Sequence, residues 1–313
     1  MRHRIEYAAV ILIRTLVRFL PRPATLRLGA ALGGLFYLLD RRRRELAIDN
    51  LRASFPAKTR DDSQAILRST YSHFGRHVVE VLNFDAMSPD QMRRHIEVEG
   101  SEHVQRAMAR GKGVMFCSGH FGSWELHIMA HALWFQPLVV VARTLDNPLL
   151  DRLVEDLRAR LGTQAIPRQG AVRGLLKTLL ANQPVAIMID QHMHGRSAVV
   201  VDFFHRPAAT TSAVAAIALR TGAALIPVFA LPLPGGRYRM VYETQVDPPA
   251  GDDPDPVRTY TQRCTNVLER YIRRYPELWL WMHRRWRVEE TTTADTASVP
   301  LPRDAEARRD VLQ

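Results

Sequence analysis

The sequence predicts an α/β fold in which a central sheet is covered by helices. Short β-rich runs recur at 113–118 (GVMFCS), 138–142, 184–189, 198–204, 224–230 and 238–246. Helical stretches separate most of them, at 123–134, 148–161, 170–182 and 210–221, and such alternation is the signature of a sheet with helices packed on it. Several of the runs are apolar throughout, the pattern of strands buried on both faces. With 313 residues, 46% of them hydrophobic, the chain can bury a sizeable core as one large domain or two small ones.

Before the first strand the texture is helical. Residues 5–20 and 24–39 read as two helices, the second opening after Pro21 and Pro23. Residues 8–20 are apolar but interrupted by Arg14 and Arg18, which share one helical face at i,i+4. The uncharged stretch 28–39 falls short of the ~18 apolar residues that a span usually needs. An amphipathic helix lying in the membrane interface is the reading that fits; a tilted span with snorkelling arginines and an ordinary buried helix are the alternatives. The net charge of +11 is concentrated here, with thirteen Arg or Lys in residues 1–60 against Glu6, Asp40, Glu45 and Asp49. A basic patch suits nucleic acid or an anionic membrane. No basic-plus-aromatic nucleic-acid module is visible, and the charge adjoins apolar sequence, so membrane is the expected partner and nucleic acid is not.

Further along, 60–83 has helical periodicity, with Ile66, Tyr71, Phe74, Val78 and Leu82 as one candidate buried stripe. A short helix over 101–110 stops at Gly111, 247–256 is a loop by composition, and 257–274 is a helix. The expected organisation is 1–40 as membrane-associated helices, 41–288 as the catalytic domain and 289–313 as a disordered tail. Cys117 and Cys264 form neither a disulfide framework nor a zinc pattern, which fits a reducing, cytosolic-side location.

The chemistry gathers at His120-Phe121-Gly122-Ser123-Trp124-Glu125. His120 follows a buried strand and precedes a helix, at the carboxyl edge of a sheet where ligands bind. Gly119 and Gly122 permit a tight turn. Glu125, five residues on, is placed to turn back and accept a hydrogen bond from one imidazole nitrogen, leaving the other free to take a proton. No G-x-S-x-G elbow is present, and Ser118 and Ser123 sit in no nucleophile motif. A base with an orienter and no protein nucleophile points to direct attack by the acceptor's own hydroxyl. The alternative is that His120 merely caps a turn; the spacing alone is a weak pattern.

The segment 117–125 (CSGHFGSWE) resembles the first motif of the glycerophospholipid-type acyltransferase superfamily, in the branch of lipid A late acyltransferases. Further blocks resemble the branch in order: 40–56 (DRRRRELAIDNLRASFP), 143–152 (RTLDNPLLDR), 166–176 (IPRQGAVRGLL), 189–211 and 275–287 (YPELWLWMHRRWR). The similarity runs from about residue 5 to 287. It implies a mixed central sheet flanked by helices, glycerol-3-phosphate acyltransferase-like, with an N-terminal membrane-associated helix. It implies His120 as catalytic base, Glu125 as its partner, and Arg143, Arg168 and Asp190 as substrate-binding or catalytic positions. Each of the last three has a plainer reading: Arg143 pairs with Asp146 or Asp151, Arg168 is a solvated loop charge, Asp190 caps a turn.

The resemblance further implies acyl carrier protein as donor, an acidic partner for a basic surface, a lipid A precursor as acceptor, and the inner membrane with the catalytic domain facing the cytoplasm. A thioester is already activated, so no cofactor is expected. The related mannolipid acyltransferases, with a phosphatidylinositol mannoside as acceptor and acyl-CoA as donor, are the alternative; they tend to carry Asp at the position of Glu125. His192 and His194 lack a third ligand spaced with them, so no metal is expected. Trp279, Trp281 and Trp286 are expected mostly in core or interface packing.

Overall fold

The computed structural model describes residues 1–84 and 86–287; the segment 289–313, for which the sequence predicts disorder, lies outside the described residues. In chain order the elements are α1 (Arg2–Phe19), α2 (Arg22–Leu39), α3 (Arg41–Ser54), α4 (Arg60–Phe84), α5 (Pro89–His95), β1 (Ile96–Glu99), α6 (Ser101–Met108), β2 (Val114–Ser118), α7 (Trp124–Ala130) and β3 (Val139–Ala142). They continue with α8 (Pro148–Ala159), β4 (Gln164–Pro167), α9 (Ala171–Leu180), β5 (Pro184–Met188), β6 (Ala198–Asp202), β7 (Pro207–Thr211), α10 (Ala213–Thr221), β8 (Ala224–Leu233), β9 (Arg237–Tyr242) and α11 (Pro256–Arg274).

Seven strands form the main sheet in the order β1-β9-β8-β2-β5-β3-β4. Five run parallel; β9 returns antiparallel to β8, and β1 follows β9. The sheet is therefore mixed, as expected. Side chains alternate across it. Phe116, Val140, Ile226 and Val228 enter the cluster covered by α7 and α8, while Met115, Cys117, Val185, Leu225 and Phe229 enter the cluster covered by α9, α10 and α11. Cys117 and Cys264 are free and buried side by side on the second face, where burial and then Cys264 raise the Cys117 thiol well above its ordinary range.

The run at 198–204 leaves this sheet. Its strand β6 pairs antiparallel with β7 as a separate ribbon, and β7 takes up the start of the helix expected over 210–221. Within the main sheet, β3 and β5 pair only at Val139–Val185 and Val140–Ala186. Beyond that rung β3 continues with β4, and β5 with β2. The sheet thus opens at its carboxyl edge.

The buried stripe of α4 matches the expected one at Tyr71 and Leu82 and departs from it elsewhere. Val78 is exposed, and the face turned inward carries Leu67, Thr70, Tyr71, His73, His77 and Val81. Two of its members are neutral histidines, which a hydropathy pattern counts as polar. Burial holds His73 at about 4 and His77 at about 3.

Helix α1 turns Tyr7, Val10, Ile11 and Val17 toward the protein. Its opposite stripe, Ile5, Leu12, Leu16 and Phe19, is exposed, as are Leu35, Phe36, Leu38 and Leu39 at the end of α2. Among the described residues no helix is long and apolar enough to cross a membrane.

Candidate active site

Strand β2 delivers its last residue, Ser118, to a turn made by Gly119, His120, Phe121 and Gly122. That turn is pinned from every side. Gly122 donates its N–H to the Leu278 carbonyl at 2.8 Å, Ser123 donates to the Ala230 carbonyl at 2.8 Å, and Leu280 donates to the His120 carbonyl at 3.1 Å. The buried His73 ring contacts the Gly122 carbonyl through Nε2 at 3.1 Å. Gly122 has φ +59° and a Cβ there would collide with the Ala230 carbonyl, so two constraints require glycine.

His120 finds its carboxylate in Asp190, just beyond β5. Nδ1 of His120 lies 2.9 Å from Asp190 Oδ1, and the His120 backbone N–H donates to Oδ2 at 2.7 Å. Trp279 Nε1 donates to the same Oδ2 at 2.9 Å. A Cβ on Gly119 would stand 3.1 Å from this carboxylate, so the glycine is what lets Asp190 close on the turn. Burial alone favours the neutral form of Asp190, but the His120 charge, the His120 hydrogen bonds and the Trp279 bond together hold it at about 2. Burial likewise lowers His120; the charge and hydrogen bond of Asp190, and more weakly the charge of Glu125, outweigh it and leave the imidazole above its ordinary value.

Glu125 does not hold the His120 ring. Its two carboxylate oxygens accept from Arg158 of α8, Nε at 2.5 Å and Nη2 at 2.9 Å, in a bidentate fork. Both side chains are largely buried. The expectation that Glu125 turns back to the imidazole fails for a geometric reason: as the second residue of α7 it is directed toward α8, while β5 brings Asp190 to the ring from the adjacent strand. The plainer reading of Asp190 as only a turn cap fails with it.

A cavity of about 670 Å³ opens beside His120. His120, Glu125, Arg158, Arg143, Arg168 and Gln191 all line it, and Asp190 stands behind His120. Four of the five sequence-nominated residues thus share one cavity wall, with the fifth in contact. The cavity occupies the gap where β3 and β5 part, so side chains from both faces of the sheet reach it: Phe116, Val140 and Met188 from one, Val141, Ile187 and Leu175 from the other. Arg143 also contacts Asp146 at 3.3 Å in an exposed pair, as its plainer reading had it. Arg168 is exposed, with Nη2 2.8 Å from the Met193 sulfur. Ser118 donates its hydroxyl to the Val228 carbonyl at 2.6 Å. Among the described residues no group of three or more His, Cys, Asp or Glu is placed to hold a metal ion.

The model of the bacterial lipid A biosynthesis acyltransferase family matches residues 1–288. The chain belongs to this family. It is accordingly an O-acyltransferase of the lysophospholipid acyltransferase superfamily. It is 30% identical to the lipid A biosynthesis lauroyltransferase of Escherichia coli (strain K12), over 87% of this chain and 88% of the relative. It is 27% identical to the phosphatidylinositol mannoside acyltransferase of Mycolicibacterium smegmatis, over 74% of each chain. The Escherichia coli palmitoleoyltransferase of lipid A biosynthesis is 26% identical over 86% of each.

In this family member the sequence blocks that are far apart in the chain meet around one turn. Asn50 of α3 donates to the carbonyls of Trp281 and His283 at 2.9 and 3.0 Å, and Phe55 packs edge-on against Trp281 at 5.8 Å. The N-terminal block thereby holds the C-terminal block, which in turn carries Trp279 to Asp190. Trp279 and Trp281 are fully buried, as packing residues should be, yet Trp279 also bonds the site, a role that composition does not reveal. Arg158 was hidden among the charges of α8; its only signal is its place on the edge of the apolar stripe of Leu150, Leu153 and Leu157.

Proposed function

We propose that this acyltransferase moves a fatty acyl chain from an acyl-carrier-protein thioester to a hydroxyl of a lipid A precursor, with His120 as general base. The observation that carries the proposal is the His120–Asp190 pair at the wall of a cavity lined by more apolar than polar side chains, among the latter Arg143 and Arg168. Asp190 holds Nδ1, so Nε2 is the atom that meets the acceptor, in place of its 3.3 Å contact with Gln191 Nε2. The acceptor oxygen gives its proton to Nε2 as it attacks the thioester carbonyl carbon. The C–S bond then breaks, and the departing sulfur takes the proton back from His120. Asp190 is a positioning residue in this scheme. Glu125 acts through Arg158, fixing the charge and shape of the wall beside the reacting atoms. Arg143 and Arg168 suit phosphates on the acceptor, or acidic groups on the donor.

The exposed apolar stripe of α1 and α2 supports membrane association through the N-terminal helices, with the catalytic body on the cytoplasmic side of the inner membrane. Acyl-CoA as donor and a phosphatidylinositol mannoside as acceptor form a second reading, favoured by the similarity to the mycobacterial relative.

The test is a reconstituted assay in detergent that offers each donor with each acceptor and identifies products by mass. Acylated lipid A precursor from acyl carrier protein, lost in His120→Ala while circular dichroism is unchanged, is the expected result. Product only on the mannolipid would replace the first reading by the second. Full transfer in His120→Ala would remove the mechanism from both.

A further inference from the structure

The end of the cavity away from His120 is backed by polar side chains that the chemistry at His120 does not use. His127 Nε2 lies 3.1 Å, and His131 Nδ1 2.8 Å, from the hydroxyl of Tyr242. All three residues are buried in an otherwise apolar cluster. Burial holds His127 at about 3 and His131 well below its ordinary value, so both rings are neutral. One hydroxyl proton serves two imidazoles: the tyrosine donates to one and accepts from the other, which ties the two tautomers together. Nε2 of His131 has no hydrogen-bond partner among the described residues.

This group sits against the cavity. His127 itself lines it, and the Phe116 ring, which also lines it, meets His131 and Tyr242 edge-on at 5.0 and 5.7 Å. Phe116 lies four residues before His120, about 13 Å back if the strand spacing is applied throughout. It pairs with Ala186, which pairs with Val140. That rung is where β3 and β5 part, and all three of its side chains line the cavity. Ala186, the smallest of them, stands between the other two.

We propose that this rung and the polar group behind it gauge the length of the acyl chain: the chain enters beside His120, runs into the gap between β3 and β5, and ends against Phe116 and the His127–Tyr242–His131 group. The proposal rests on the acyl-transfer reading above. An apolar wall alone discriminates weakly, because neighbouring side chains can yield to an extra methylene. A hydrogen-bonded group behind the wall yields less, since displacing it leaves buried donors and acceptors unpaired in a place water cannot reach. A single methylene misfit in a tight pocket already changes selectivity by roughly 10- to 200-fold.

The experiment is a competition among decanoyl, lauroyl, myristoyl, palmitoyl and stearoyl thioesters, with the full chain in detergent and products read by mass. Ala186→Leu fills the gap and is expected to shorten the preferred chain, with at least roughly ten-fold loss of the longest donor relative to shorter ones. Ala186→Val gives a graded version should the larger side chain block transfer altogether. Phe116→Leu and His127→Leu remove the stop and are expected to admit longer chains than the wild-type protein accepts. A donor profile unchanged in Ala186→Leu, Phe116→Leu and His127→Leu, with transfer continuing, overturns the gauge and leaves the acyl-transfer reading standing. No transfer from any donor by the wild-type protein overturns the acyl-transfer reading instead.

Discussion

Asp190 holds His120 twice, once through the ring and once through the backbone: Oδ1 meets Nδ1 at 2.9 Å and Oδ2 accepts the peptide N–H at 2.7 Å. The carboxylate therefore fixes both the tautomer of the imidazole and the turn that presents it. Asp190→Asn keeps the shape and removes the charge. Catalysis is expected to fall by about 10²–10⁴-fold, the worth of a positioned general base. The pH profile separates this role from a merely structural one. His120 lies above its ordinary value because of Asp190, so transfer in the wild-type protein rises as pH climbs through a value above 6.5. In Asp190→Asn the two stronger raising influences are gone while burial and the weaker one of Glu125 remain, so the acid limb moves to lower pH. A profile that keeps its midpoint while activity falls would contradict the pairing.

Stability and activity should respond to pH in opposite senses at this pair. The raised His120 contributes stability that is full below 6.5 and lost as pH rises through its folded value. The depressed Asp190 contributes stability that is present above 3.8 and lost as pH falls toward about 2. The pair supports the fold best between those limits, whereas base catalysis needs the neutral ring found above them. Thermal melts of wild type and Asp190→Asn are expected to differ most above pH 3.8 and to draw together as pH falls toward about 2, where Asp190 in the folded protein is half protonated; a difference that persists undiminished to pH 2 would argue against the assignment.

Much of this was legible in the sequence, and the gaps have physical causes. The apolar strands β2, β3, β5 and β8 and the helices between them announce themselves by period and length. β1 and β4, each four residues at a sheet edge, carry too little pattern to stand out. His120 stands out in the sequence because strand–turn–glycine context is local. Proximity in sequence points to Glu125 as its hydrogen-bond partner, whereas adjacent parallel strands bring residues seventy positions apart, His120 and Asp190, into contact. Trp279 and Arg158 were unreadable for the same reason. The histidines of α4 and α7 do not stand out in a hydropathy pattern, because a neutral, buried imidazole behaves as a core residue while the pattern counts it as polar.

The Glu125–Arg158 fork makes a different prediction. Removing one member of a buried, bidentate pair strands the other charge, at a cost of roughly 3–5 kcal/mol. Arg158→Met and Glu125→Gln should each lower the melting temperature. The double variant Glu125→Gln/Arg158→Met should recover much of the loss, because neither charge is then left alone. Activity is expected to stay low in all three. A double variant no more stable than the worse single one would show that the two side chains do not form the pair in solution.

Gly122 tests how rigidly the turn must be held. Alanine there must adopt a left-handed backbone and displace the Ala230 carbonyl that accepts the Ser123 N–H. Strain of this kind costs on the order of 1–3 kcal/mol. Because the turn carries His120, Gly122→Ala is expected to lower turnover well beyond its effect on folding, measured as activity of the folded fraction after thermal calibration. A variant with reduced stability and normal turnover would show that the base tolerates a displaced turn.

The proposed membrane face can be tested without touching the site. Ile5, Leu12, Leu16 and Phe19 occupy one stripe of α1, opposite the stripe that packs on the protein, and Phe19 is 83% exposed. Phe36 and Leu39 extend the apolar surface at the end of α2. These side chains are all exposed, while the arginines of the same region favour an anionic surface. Burying one such side chain in the interface contributes up to roughly 1.5–3 kcal/mol, a factor of ten or more in partitioning. Leu12→Ser/Phe19→Ser and Phe36→Ser/Leu39→Ser are therefore expected to move the protein from anionic vesicles to the supernatant in flotation, with its melting temperature nearly unchanged. If α1 and α2 lie in the interface as proposed, the wild-type protein should also leave membranes at alkaline pH. Retention after alkaline washing would mean that α1 and α2 enter the bilayer more deeply than an interfacial helix does, and serine variants that still float would place the membrane contact elsewhere on the chain.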